Sequence, residues 1–219
     1  MTRSFLSQKT VDFSMGDIMN DRIYRTNLFI IVFSWIASSF CFYIIGFYIK
    51  YIPGSVFINV IVTSIADGLS SIFAGIIAQS VGTQKALCMS YSLAFIGGIL
   101  LIASGTNEIL IMVCVLITKF GINSAFTLCY IINTEYFPSI VCSRIFGICN
   151  IFARISTIMS PLIAEITPPI PMMIYCLICA MSSIASMFLT KNKDAEEAIQ
   201  DLDDSFSSHS DYRFGLQNR

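Results

Sequence analysis

Six uninterrupted apolar stretches, each close to twenty residues long, constrain this chain more than any other feature. They are "NLFIIVFSWIASSFCFYIIGFYI" (27–49), "SVFINVIVTSIADGLSSIFAGIIAQ" (55–79), "ALCMSYSLAFIGGILLIAS" (86–104), "ILIMVCVLITKFGINSAFTLCYI" (109–131), "RIFGICNIFARISTIMSPLIAEI" (144–166) and "PMMIYCLICAMSSIASMFL" (171–189). A helix needs about 20 residues to cross about 30 Å of hydrocarbon, and each stretch is near that length. Transmembrane β-strands would show alternation over about ten residues instead. The chain is 55% hydrophobic and 12% charged. A soluble domain carries about 25% charge, so a soluble globular fold is excluded. The expectation is an all-α integral membrane protein with six transmembrane helices.

The basic residues give an orientation. Arg3, Lys9, Arg22 and Arg25 precede the first span. Lys85 and Arg144 fall in the second and fourth connections, and Lys191, Lys193, Arg213 and Arg219 follow the last span. The opposite connections hold only Lys50. By the positive-inside rule both termini are expected in the cytoplasm. No signal peptide is read at the amino terminus, because the first apolar run starts behind a polar stretch and lacks a cleavage-like end. Residues 1–26 read as a cytoplasmic leader and 27–190 as the six-helix bundle. The acidic, serine-rich stretch 191–219 reads as a disordered cytoplasmic tail. Nearly all of the eight cysteines lie within spans, so they read as small packing residues rather than a disulfide scaffold. Cys176 and Cys179 have CxxC spacing on an apolar helix, where packing is the expected use.

Two basic residues, Lys119 and Arg154, and one acid, Asp67, lie near the middle of spans. In the fifth, Gly147, Asn150, Arg154, Thr157 and Pro161 share one helical stripe. Cys149, Ala153, Ser156 and Ser160 form a small-residue stripe beside it, and Ile148, Ile151, Phe152, Ile155, Met159 and Leu162 lie opposite. In the second span Asn59, Thr63, Asp67 and Ser70 share a face. In the fourth, Lys119, Asn123, Thr127 and Tyr130 line up with Phe126 alongside. Charges at the middle of a span are costly unless they face a partner or a wet interior. Asp67 can neutralise one cation as a structural ion pair. One acid against two bases leaves a positive charge over, which is tolerable in a water-filled cavity or beside an anionic ligand. The first span adds Trp35, Ser38, Ser39, Phe42 and Tyr43, an aromatic and hydroxyl cluster suited to amphiphilic organic ions. Tyr48 and Tyr51 read as interface anchors.

The stretch "KFGINSAFTLCYIINTEYFPSIV" followed by "NIFARISTIMSP" resembles spans ten and eleven of the organic-ion transporters of the major facilitator superfamily. The matching elements are Lys119-Phe120, Tyr130 and Thr134-Glu135-Tyr136-Phe137-Pro138. "FSWIASSFCFY" and "IPGSVFINV" resemble the family's seventh span and the start of its eighth, and Asp67 stands where the eighth span usually has an acid. "MGDIMNDRIYRTNL" resembles the end of its central cytoplasmic loop. The resemblance covers residues 12–190 and implies the last six of twelve spans. It implies movement of organic ions by alternating access, with Arg154 where anion-handling members tend to carry arginine. The chain departs from the pattern in three places. "QSVGTQKAL" keeps only Gly82 and Lys85 of the usual loop, Cys142 stands where an arginine is usual, and "LTKNKD" replaces Pro-Glu-Thr.

The expected function is transmembrane transport of small organic ions, with a lean to anions, as a half-transporter or fragment. The alternative is a non-transporting membrane subunit or pseudo-transporter. No HExxH, GxSxG or Gly-rich phosphate loop is present, so neither an enzyme nor ATP-driven transport is expected, and no cofactor. The expected transport-cavity residues are Arg154, Lys119, Asp67, Asn150, Trp35, Tyr130 and Tyr43. Expected partners are the lipid bilayer, a small organic ion and a second six-helix bundle, either a second copy or a partner half-chain; no nucleic acid is expected.

Overall fold

A computed structural model describes residues 20–48, 56–105, 107–137, 139–167 and 169–190. Most of the leader, the tail 191–219, and Lys50, Tyr51 and Pro138 lie outside the described residues. The described part is all helical. Its six helices are α1 (Arg22–Tyr48), α2 (Val56–Val81), α3 (Thr83–Ala103), α4 (Glu108–Tyr136), α5 (Ser139–Ala164) and α6 (Ile170–Ser186). Six helices, all-α, are consistent with half of a major facilitator bundle, the arrangement that the resemblance implies.

Local chemistry sets the helix ends. Asp21 accepts the backbone N–H of Ile23 at 2.8 Å, which starts α1 well before its apolar run begins. Gly82 takes φ +92°, a left-handed turn that costs glycine nothing, and so lets α3 follow α2 with a single residue between them. Asn107 caps α4 by accepting from Leu110 N at 3.3 Å, with Glu108 in the first turn. Pro171 sits in the first turn of α6, where its missing N–H removes no helical bond.

Five of the helices are long and apolar enough to cross a membrane. The sixth, α6, has 17 residues and so rises about 26 Å. The run read from sequence continues three residues further, and so does the hydrogen bonding. Met187, Phe188 and Leu189 donate to Ile184, Ala185 and Ser186, three residues back. That tighter pattern gains more rise per residue and carries the apolar segment past Ser186.

Helix α4 is the hub, packed against α1, α2 and α3, while α1 also packs against α5 and α6. With lipid outside, no hydrophobic force drives helices together, so close packing has to do it. Glycine permits that at two α3–α4 contacts. A Cβ on Gly97 would sit 2.6 Å from Thr118 Oγ1 and 2.8 Å from its backbone nitrogen, and one on Gly121 would sit 2.6 Å from Ala94 N. Buried hydroxyls fasten the remaining contacts. Tyr91 donates to the Ser34 carbonyl at 2.8 Å and lies 2.7 Å from Ser38 Oγ, joining α3 to α1. Tyr175 donates to Thr118 O at 3.3 Å, joining α6 to α4.

The helical stripes read from sequence become distinct surfaces. On α5, Cys149, Ala153 and Ser160 are buried, and Ser160 donates to Phe40 O of α1 at 3.4 Å. Ile151, Ile155 and Leu162 of α5, with Ile61, Ile65 and Ile72 of α2, are exposed. All eight cysteines are free thiols.

Candidate functional site

Asp67 and Lys119 come together. Lys119 Nζ donates to Asp67 Oδ2 at 2.7 Å, linking α4 to α2, with side-chain exposures of 8% and 22%. The pair is embedded in a polar seam. Asn123 Nδ2 lies 2.7 Å from the Asp67 carbonyl and 2.6 Å from Ser70 Oγ. Ser70 and Ser71 donate back to the Asp67 carbonyl at 2.8 and 3.1 Å. Thr127 extends the seam to Ser71 at 3.1 Å, and Ser124 donates to Ser70 O at 3.2 Å. Each contributor lies one turn from another on its helix, so one α2 face and one α4 face zip together. The other carboxylate oxygen, Asp67 Oδ1, is buried with no partner among the described residues.

The ammonium of Lys119 also lies over the Phe42 ring, 5.4 Å from its centroid, the geometry of a cation–π contact. Phe42 begins a continuous run of aromatic contacts. It stacks on Phe126 (6.0 Å, 22°), Phe126 meets Tyr130 edge-on at 5.3 Å, and Tyr130 meets Phe146 at 5.5 Å. Trp35 lies against three of these rings, with centroids 4.5 Å from Tyr130, 5.2 Å from Phe146 and 6.0 Å from Phe126. Three helices, α1, α4 and α5, thus share one aromatic cluster. Trp35 is 1% exposed, and its indole N–H finds no acceptor among the described residues. A buried donor left unmade costs about 1–3 kcal/mol, and indole N–H groups usually find partners when buried. Tyr130 and Tyr43 are each 39% exposed, so the cluster has an open edge.

Arg154 is placed differently. It is exposed on α5 and makes no ion pair among the described residues. The three charges read as sharing an interior therefore divide. Asp67 is committed to Lys119, and Arg154 stands apart on α5, two turns from Phe146. Asn150, on the same stripe as Arg154, turns its amide back to Phe146 O of its own helix at 2.9 Å. Ser38, read as part of the first-span cluster, faces Tyr91 of α3 instead, because it lies on the flank of the Trp35–Phe42 stripe.

Three contributors escaped the sequence reading, Phe146, Ser71 and Ser124, and the first two left a signal. Phe146 precedes Asn150 and Arg154 by one and two turns, on the same stripe. Ser71 follows Asp67 by one turn. The role of Phe42 as a lid over Lys119 had no such signal, since it depends on how α1 crosses α4.

No family model matches the chain. Among curated proteins it is similar to an organic cation transporter-like protein of Drosophila melanogaster, 26% identical over 186 residues, covering 81% of this chain and 32% of that protein. It is similar to organic anion transporter 3 of Mus musculus, 22% identical over 207 residues, 91% of this chain and 38% of the relative. It is also similar to an organic cation transporter protein of Drosophila melanogaster, 25% identical over 192 residues, 84% and 35% of the two chains. The chain spans about a third of the length of the curated relatives it matches.

Proposed function

We propose that this chain, a distant homologue of the organic-ion transporters of the major facilitator superfamily and a multi-pass membrane protein, forms one half of an alternating-access pathway for organic anions. The observation that carries the anionic choice is the division of charge. Asp67 is spent on Lys119, while Arg154 has no acidic partner among the described residues and lies on the same helix as Phe146 of the aromatic cluster, two turns away. Arginine keeps its charge at any depth and grips an oxyanion with two parallel hydrogen bonds. The part-exposed rings of Tyr130, Phe126 and Tyr43 offer an apolar body a surface. The relatives' names point both ways, to anions and to cations, so the choice rests on the site.

Pathway helices in such transporters come from two bundles that rock about a site near the midplane. Helices α2 and α5 are the least covered of the described spans, and α5 carries Arg154 on its open side. A second six-helix bundle, covalently continuous or not, is the proposed occupant of that side. Both termini are assigned to the cytoplasm from the distribution of basic residues.

Uptake of labelled organic anions and cations by cells expressing the assembled transporter, normalised to surface protein, tests this reading. Arg154→Ala is expected to abolish anion uptake with membrane insertion unimpaired. Arg154→Lys is expected to keep some uptake at lower affinity, because the bidentate fork is lost. Arg154→Asp is expected to favour cations. Normal anion uptake by Arg154→Ala would sink the assignment.

A further inference from the structure

Helices α2 and α3 are consecutive but touch little, because each is clamped separately to α4. Helix α2 is held by the Asp67–Lys119–Asn123 seam, and α3 by Gly97 on Thr118 and Gly121 on Ala94. The wedge between them is a groove of ≈ 760 Å³, with Phe120 and Ser124 of α4 on its floor. Its walls are Ile77 and Val81 of α2 and Met89, Leu93 and Ile96 of α3.

One end of the groove differs from the rest. Lys85 and Gln84, in the first turn of α3, line it there. Lys85 is exposed and makes no ion pair among the described residues. Gln84 donates to Met187 O at 2.8 Å, which ties that end of the groove to the end of α6. The first turn of a helix also presents unpaired N–H groups and the positive end of its dipole. Positive charge is thus gathered at the membrane boundary, and everything deeper is apolar or a small hydroxyl. From Lys85 to Ile96 the helix rises about 16 Å, about half the thickness of a hydrocarbon core, which is one leaflet. A second, wholly apolar recess continues past Leu93 and Phe120 toward Val62 and Leu116.

We infer that this groove is a site for one acidic phospholipid, its phosphate at Lys85 and the α3 amino terminus and one acyl chain laid along Met89, Leu93 and Ile96. A soluble ligand would have no use for an apolar wall one leaflet deep. A zwitterionic lipid would bring a cation against Lys85. A second protein helix would leave Lys85 uncompensated unless it brought an acid. The inference rests on the membrane-spanning fold and not on transport.

The full chain carries a single tryptophan, Trp35, away from the groove. In a Trp35→Phe, Phe120→Trp variant the only indole lies on the groove floor. Reconstituted in phosphatidylcholine bilayers doped with equal mole fractions of brominated phosphatidylglycerol or brominated phosphatidylcholine, that indole is expected to be quenched more strongly by the anionic lipid. Lys85→Gln in the same background is expected to cut the preference about fivefold, the factor that one basic residue contributes near an anionic surface. A reporter at Ile155, on the exposed face of α5 (Trp35→Phe, Ile155→Trp), is expected to show no preference. Equal quenching by the two lipids, or a preference that survives Lys85→Gln, overturns the site, and absence of quenching by either means protein covers the groove and overturns it too. Native mass spectrometry of the unaltered chain released from mixed-lipid nanodiscs gives a readout free of the tryptophan changes. One retained phosphatidylglycerol per chain is expected, lost in Lys85→Gln; none retained by the unaltered chain overturns the proposal.

Discussion

Asp67 and Lys119 form a pair whose members cannot be removed one at a time without cost. Taking away Lys119 leaves a carboxylate two-thirds or more covered, with one oxygen already unpartnered. Breaking a buried pair by removing one member costs about 3–5 kcal/mol, whereas replacing both with neutral groups is often close to neutral. Asp67 keeps some access to the open side, so the lower end applies. Lys119→Met is expected to destabilise the detergent-solubilised protein by about 3 kcal/mol. The double variant Asp67→Asn, Lys119→Met should regain most of that. Thermal unfolding followed by helical circular dichroism measures both, and equal losses in the single and double variants would show that the pair is not an energetic unit. Both residues stand out in the sequence as charges in mid-span. Which of the two cations Asp67 takes does not, because it depends on α2 crossing α4 rather than α5.

At the scale of elements, the glycines separate into those that set a helix contact and those that do not. A Cβ on Gly121 meets the backbone of Ala94 at 2.6 and 2.9 Å, and a backbone cannot turn aside as a side chain can. Gly121→Ala therefore has to push α3 from α4, and a loss of about 2 kcal/mol is expected, within the usual range for overpacking. Gly147 of α5 has nothing within 4 Å of its missing Cβ. There the helix propensity of alanine is uncompensated by any clash, so Gly147→Ala is expected to stabilise by up to about 1 kcal/mol. Melting temperatures of the two variants in the same detergent should move in opposite directions. A small-residue pattern in a sequence reveals only that close approach is available. Only the packed helices separate Gly97 and Gly121, which lie against backbone, from Gly147, which lies in the open.

At the scale of the whole molecule, the least covered helices are α2 and α5, and α5 carries an exposed arginine at mid-span. Such a side needs a partner bundle or water. Gentle crosslinking in native membranes is expected to trap the chain with a second six-helix bundle, its own copy or another. A monodisperse monomer that transports on its own would defeat that expectation. Orientation is tested by protease accessibility of a carboxyl-terminal tag on sealed cells; a tag cut from outside would overturn the cytoplasmic assignment.

The sequence alone determined the class of solvent and the class of fold. In hydrocarbon only helices and closed barrels satisfy the backbone hydrogen bonds, and apolar runs of about twenty residues without alternation leave helices. It also determined the faces of each helix, since a 3.6-residue period places Cys149, Ala153 and Ser160 together whatever they touch. The tertiary structure decided which faces meet. Ser38 turned to Tyr91 instead of the aromatic cluster, Phe42 reached over Lys119, and Arg154 was left without the acid that its neighbour in charge had taken. Helical period is a local property, fixed by residues one turn apart. Pairing between helices joins residues more than fifty positions apart, as in Asp67 and Lys119, and their meeting follows from crossing angles set by small residues elsewhere in the interface.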